Sequence, residues 1–465
     1  MRERTLVHVL CVLFLFASLA PTVYELIHQD RLRPERQFEL VHNFPTDFNF
    51  YLSRIRQGIE GRTTVIEQYT SEPHQGSFIH VLYLALGWLG RWSRVPWERG
   101  GDVYHVTRVV FGGLLLVMIA QFCRKAFSGE RAEVARPNAR VLRFPSFAGA
   151  PTAAGSHLSE LTARFPFSLF TSHFSLLAFL MAVTASTWPK LLSLVGDQIV
   201  GATTSNVSGW RLGGFMPWWS VMDSLQRITF IPHLLLGQTL ILFLIMALSD
   251  EATMKKPGNW VFLGILAFME GIFFPPGLLF VIVAIAVLGC FDLLFSKHHV
   301  NLLPTGKKLT WFFSEWVLPR SVVVLLSLPS LVYLSLMTSF YPWKCLAEFD
   351  IVKPLPFAYG EYLLAVGPIL VVGVIGLVVA IWKKEKAMLP SAAWVVAWLG
   401  LLGIFQFIPQ QSPLRFSEMI PHVPLAVLAA YLFFQLHTLV VSGNALFGDT
   451  PRGKRRYEED TRASL

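Results

Sequence analysis

Asp47 stands at the head of the stretch NFPTDFNFYLSRIRQGIEG, residues 43–61, in which Phe44, Phe48, Tyr51, Ile55 and Ile59 recur at helical spacing while Arg54, Arg56 and Glu60 fall elsewhere on the turn. A carboxylate in that position can take a proton from a hydroxyl within hydrogen-bond reach. It also suits a plain structural part, since Asp47 or Thr46 can cap the helix that follows. Glu72 and His74 flank Pro73. Such a pair could bind a substrate or a divalent cation, although two ligands are fewer than a metal site needs. The run DSLQRITFIPH, residues 223–233, sets Asp223 and Arg227 four apart and ends on His233. That spacing suits an i,i+4 ion pair closing a helix end, or a cation and an imidazole serving a site at membrane depth. Arg415, in SPLRFSE, either pairs with Glu418 or holds an anion. Arg108 falls where an apolar block begins, so its guanidinium can snorkel to an interface. Glu270, in AFMEGIFFPPG, lies inside an apolar block, where unpaired burial is costly or raises the carboxyl pKa. Gly271 and Pro275-Pro276 beside it allow a helix to break where it lines a polar cavity, a feature that equally suits a proton-coupled transporter.

The elements that must carry these residues are membrane helices. The chain has 465 residues, 53% hydrophobic and 15% charged, with 38 Phe and 14 Trp, far from the mix of a soluble domain. Its apolar residues come in continuous blocks of about 20, the length an α-helix needs to cross a hydrocarbon core, without the alternation of a barrel. The blocks predict an all-α polytopic protein with ten spans, near 6–24, 103–123, 166–188, 230–248, 260–274, 276–295, 321–340, 360–382, 391–408 and 419–441. The first block could also be read as a signal peptide cut after Ser18-Leu19-Ala20, but its length and Pro21 favour a retained span. The short loops that hold most of the 39 Lys and Arg fall on one side, which sets both termini in the cytoplasm and the protein in the cytoplasmic membrane.

On that reading residues 1–441 form one transmembrane domain, and 442–465 a basic, disordered cytoplasmic tail suited to an anionic leaflet. Two long loops face outward, 25–102 and 190–229. The first carries two interfacial helices, Asp47 to about Ile59 and Ser77 to about Trp92, the second of them too short to cross. The other holds GWRLGGFMPWW, residues 209–219, and the glycosylation-type triplet Asn206-Val207-Ser208. Four cysteines follow no framework, so no disulfide is expected. No Walker loop, dinucleotide fingerprint or zinc spacing is present, which leaves ATP-driven pumping unsupported, and the net charge of +9 needs no nucleic acid.

The order of these features resembles the GT-C superfamily of integral membrane glycosyltransferases, closest to its protein O-mannosyltransferase and aminoarabinose transferase branch. The likeness rests on Asp47 after the first span, on EPHQGSF (72–78) ahead of an apolar amphipathic helix, and on Arg108 in YHVTRVVFGGLLLV (104–117), and it covers roughly residues 1–130. The sequence departs from that branch in having Phe48 where a second acid often stands and Glu-Pro-His where a Lys-Pro-Pro-Leu type is common. The resemblance implies sugar transfer from a polyprenyl-phosphate donor to an acceptor of unspecified class at the extracytoplasmic face. Asp47 would then be the general base, and Glu72, His74, Arg108, Arg227, His233 and Arg415 would contact substrate, with the arginines on the donor phosphate. No resident metal or other cofactor is required, though a divalent cation remains compatible. Two alternatives stand beside the enzyme: a transporter or flippase of a lipid-linked or amphiphilic solute, favoured by Glu270, and a non-catalytic relative in which Asp47 only caps.

Overall fold

The computed structural model describes residues 3–31, 38–128, 167–188, 193–195, 198–200, 216, 220–295, 312–352, 357–408 and 412–448. Most of GWRLGGFMPWW, the triplet at Asn206 and the tail beyond 448 lie outside the described residues. The rest is almost wholly helical: α1 (Glu3–Ile27), α2 (Pro45–Ile59), α3 (Val81–Trp92), α4 (Gly100–Ala126), α5 (Phe167–Thr184), α6 (Pro232–Leu248), α7 (Pro257–Phe273), α8 (Pro275–Phe295), α9 (Leu318–Met337), α10 (Lys344–Val352), α11 (Tyr359–Val366), α12 (Pro368–Lys383), α13 (Leu389–Phe405) and α14 (His422–Gly448). A small antiparallel pairing of Ser193–Val195 with Gln198–Val200 falls in the second long loop.

Proline opens several of these helices. Pro45, Pro232, Pro257 and Pro368 each sit in a first turn, where the missing N–H has no intrahelical acceptor to lose and the fixed φ favours the helix. Inside the helices the apolar residues run on all faces. This gives α8 and α13 no polar side and suits them to a bundle packed both on itself and on lipid. The largest contacts pair α7 with α9, α12 with α14, α2 with α3, α5 with α14, α8 with α13 and α4 with α6.

The ten predicted blocks all overlap helices, but they are not equivalent and do not amount to ten straight spans. Among the described residues six helical segments are long and apolar enough to cross a membrane, at Thr5–Ile27, Trp97–Ala126, Pro275–Phe295, Phe312–Met337, Lys386–Phe405 and His422–Leu439. Three are shorter: the described part of α5, α6 and α7. At 17 residues, α6 and α7 reach about 25 Å, somewhat under a typical hydrocarbon thickness. The block at 360–382 is not one straight helix. α11 and α12 meet at 85° through Gly367, whose φ of +85° is open to glycine at no steric cost and whose face lies against the Ser186 carbonyl. α14 continues to Gly448, past the expected start of a disordered tail at 442.

The loop between α1 and α4 folds back as a compact unit. α2 begins at Pro45, two residues ahead of the expected Asp47, and α3 begins at Val81 and not at Ser77. Ser77 instead exchanges two backbone hydrogen bonds with Val65, at 2.8 and 2.9 Å, and His80 takes a left-handed conformation (φ +58°) to turn the chain into α3. The two helices cross at Gly58 and Gly87. A methyl group on Gly58 would lie 2.2 Å from the Leu84 carbonyl oxygen, and one on Gly87 would lie 2.1 Å from that of Ile55. Because the obstacle is backbone on both sides, it cannot be relieved by a rotamer change. A Gly87→Val substitution is therefore expected to cost more than the usual 1–3 kcal/mol of overpacking, roughly speaking. The expected readout is a lower thermal midpoint in detergent, with earlier proteolysis between residues 60 and 80 than in the wild type.

Candidate functional site

Asp47 sits in the first turn of α2, where the partial positive charge of the helix start favours a carboxylate. It does not cap the helix. Phe44 occupies the cap position, and no side chain there bonds a free amide. The helix start is satisfied instead by Pro45 and by the Phe48 N–H donating to the Phe44 carbonyl at 2.9 Å. The carboxyl is thus left for other work, on a residue open to solvent on one side and partly covered on the other.

Around it stand three tyrosines from three segments. Tyr51 of α2 stacks on Tyr83 of α3 with centroids 4.4 Å apart, and Tyr104 of α4 lies parallel to both at 6.4 Å. Their hydroxyls are organised by histidines: Tyr83 Oη and His233 Nδ1 are 2.8 Å apart, and Tyr104 Oη and His42 Nδ1 are 3.0 Å apart. Phe48 and Ile55 on the buried face of α2 pack with Tyr83 and Tyr104, and Phe273 closes the cluster from the end of α7.

Arg415, on the short helical turn Leu414–Ser417, lies within electrostatic reach of Asp47, Tyr51 and His233. Partial burial raises the Asp47 carboxyl above its ordinary pKa, and the Arg415 guanidinium opposes that rise. Burial, reinforced by the Asp47 charge, pushes the Tyr51 phenol well up, so it stays a neutral hydroxyl. Burial likewise pushes His80 well below the usual imidazole value, with Arg54 and His233 adding to the effect. The result is a carboxylate with strengthened basicity beside a fixed cation, over an aromatic surface edged with neutral hydroxyl and imidazole groups.

The loop that supports this cluster is locked by Arg54. The sequence pattern sets Arg54 off the apolar stripe of α2, yet its side chain is completely buried. It makes a 2.5 Å ion pair with Glu67, and its guanidinium carbon lies 3.3 Å from the centre of the Phe50 ring. Gln57 completes the lock by donating to the Ile66 carbonyl at 2.9 Å and accepting from the Ile66 N–H at 2.8 Å.

The other expected residues are distributed differently. His74 is structural: its Nε2 accepts the Glu67 N–H at 2.9 Å, and its Nδ1 contacts the Glu72 carbonyl at 2.9 Å, so neither nitrogen is left for a cation. Glu72 is exposed, and it is not among the electrostatic neighbours of Asp47. Among the described residues no three His, Cys, Asp or Glu side chains gather as metal ligands do. Arg108 does not snorkel. It is buried and bonds inward, to Thr22 of α1 at 2.5 Å and to the Thr229 carbonyl at 3.3 Å. It still approaches the site through His42, His105 and Tyr104, with which it interacts electrostatically.

Arg227 lies apart, beside His422, and the i,i+4 ion pair with Asp223 does not form. Asp223 instead accepts the N–H groups of Leu225 and Gln226, both at 3.0 Å. Glu270 is fully buried, with neither carboxyl oxygen hydrogen-bonded among the described residues, and it packs against Gly277 at the start of α8. Of the residues singled out in the sequence, the structure therefore gathers Asp47, His233 and Arg415, with Arg108 at the margin. Tyr51, Tyr83, Tyr104, His42 and the Arg54–Glu67 pair were not singled out for chemistry. The Tyr-His doublet at 104–105 was the one local sign of them.

Removing Glu67 leaves Arg54 charged and buried without its partner, a change that costs about 3–5 kcal/mol in such sites. Glu67→Ala is accordingly expected to lower the thermal midpoint strongly, whereas Glu60→Ala, which removes the half-exposed Arg56–Glu60 pair, should shift it little. No protein-family model and no curated protein matches the chain.

Proposed function

We propose that the chain is a GT-C-type glycosyltransferase of the cytoplasmic membrane, with ten passes, both termini inside and the Asp47 cluster at the extracytoplasmic face. The observation that carries this reading is the convergence of Asp47 with Arg415 and His233, which are distant in sequence, on the stacked tyrosines. The substrates are a polyprenyl-phosphate sugar and a hydroxyl-bearing acceptor. The acceptor oxygen forms a bond to the anomeric carbon as the bond from that carbon to the phosphate oxygen breaks. Its proton passes to Asp47, and polyprenyl phosphate leaves with the electron pair. Arg415 counters the negative charge that grows on the phosphate. The tyrosine faces offer an apolar surface to a sugar ring or to the first isoprene units, while His233 and His42 keep their hydroxyls oriented.

Asp47→Asn keeps the size and polarity of the side chain and removes the base. The wild-type carboxyl has a folded-state pKa above its ordinary value of 3.8, so its ionised form subtracts stability above that folded pKa. The Asn variant should consequently have a thermal midpoint at pH 7 no lower than that of the wild type. Transfer from a panel of polyprenyl-phosphate sugars should fall by about 10²–10⁴-fold, the usual contribution of a general base. In the wild type the rate should decline as pH falls through the raised Asp47 pKa. An Asn variant that folds and transfers sugar at the normal rate would rule out the base and leave the non-catalytic reading.

Glu270 supports a second reading, a transporter or flippase, because a buried carboxyl, here without a hydrogen-bond partner among the described residues, is a common proton-coupling device. In sealed vesicles that reading requires movement of a lipid-linked solute that is lost in Glu270→Gln. The transferase reading instead requires that Glu270→Gln leave the chemistry of detergent-solubilised protein intact.

A further inference from the structure

Arg227 and His422 meet in the interior of the bundle, away from the Asp47 cluster. Arg227 belongs to the helical turn Gln226–Thr229, which enters the bundle beside α1, where Ser18 bonds both the Leu225 carbonyl and the Thr229 hydroxyl. One guanidinium nitrogen reaches the Ala185 carbonyl, while Nε and Nη1 are buried without a hydrogen-bond acceptor among the described residues. His422, at the start of α14, is buried too, and neither ring nitrogen has a partner among the described residues. Both side chains line one small cavity, whose remaining wall is largely apolar, including Leu115, Leu116 and Val183. The space suits roughly one water-sized occupant.

A guanidinium stays charged in any protein, so its burial requires a counter-charge or a strong set of acceptors. The nearest acid in sequence, Asp223, acts on Arg227 electrostatically, but it has one oxygen committed to backbone amides and makes no ion pair with the guanidinium, so its charge compensates only in part. Water alone would satisfy donors and leave the charge. A small anion satisfies both, accepting from Arg227 Nε and Nη1 and from whichever ring nitrogen of His422 carries hydrogen.

We propose that Arg227 and His422 form a binding site for one small inorganic anion of the halide class, which pins the end of the second long loop to the start of the last helix. A sugar or a lipid head group with its chain does not fit a water-sized space, and this sets the site apart from the transferase reading, on which it does not depend.

The test uses the full chain purified in detergent and exchanged into sodium gluconate. Sodium chloride replaces gluconate at constant ionic strength while the thermal midpoint is followed, and inorganic phosphate is titrated in parallel. A saturable rise with chloride is expected, because a ligand held only by the folded state stabilises it by mass action. Arg227→Gln and His422→Asn should lose that rise, and Arg227→Gln should unfold in gluconate no earlier than the wild type, since it removes a buried charge that has no ion pair and two donors without acceptors among the described residues. The proposal is overturned if chloride gives no specific stabilisation, if the rise survives in both variants, or if phosphate stabilises where chloride does not. Should the variants not fold, the wild type decides the matter: a bromide anomalous peak beside Arg227 and His422 supports the site, and its absence from crystals grown in bromide rejects it.

Discussion

The position of Asp47 depends on how closely α2 lies on α3. Glycines at 58 and 87 let the two backbones approach to a distance that no side chain would permit. That contact places Tyr51 flat on Tyr83 and presents the first turn of α2 toward the segment bearing Arg415. The Arg54–Glu67 pair then ties the far side of α2 to the loop that leads into α3. Buried ion pairs add little net stability compared with apolar packing, but they tolerate few alternative registers. Here the pair fixes one rotation of α2 about its axis, and with it the direction in which Asp47 faces.

Charge in the rest of the bundle follows a related logic. Irregular backbone within an apolar bundle persists only where protein or a cavity satisfies it. The stretch from Asp223 to Ile231 is such a case. The Leu225 and Gln226 amides are taken by Asp223, the Leu225 carbonyl and the Thr229 hydroxyl by Ser18, and the Thr229 carbonyl by Arg108. Arg320 plays a comparable part elsewhere, bonding the Leu248 and Trp316 carbonyls while lying over the Trp316 ring. Thus three arginines that a hydropathy reading would send to the membrane surface, at 108, 227 and 320, are interior joints between helices.

What could be read from the sequence follows from the range of the interactions involved. The helical blocks and α2 were legible because a continuous apolar run and a 3.6-residue stripe are local signals. The bend at Gly367 was not, since its cause is the approach of Ser186, far away in the chain. The burial of Arg54 was illegible for a similar reason: an arginine off the apolar stripe reads as solvated unless its partner is known, and Glu67 lies in a loop without periodicity. Asp47 was visible at the head of an amphipathic stretch and His233 and Arg415 as polar residues near span ends, and their convergence needed tertiary structure. The tyrosine stack was the least legible part, because each ring looks like ordinary core packing in its own segment.

The inward reach of Arg108 also bears on how the chain is made. Its two bonding partners, Thr22 and Thr229, flank it by roughly one and two long stretches of sequence, so the first is available as α4 is synthesised and the second is not. Until the ribosome has delivered the segment around Thr229, this guanidinium has only half its acceptors and favours a hydrated berth at the membrane surface. α4 therefore gains both interior acceptors only once α5 and the segment around Thr229 have been translated.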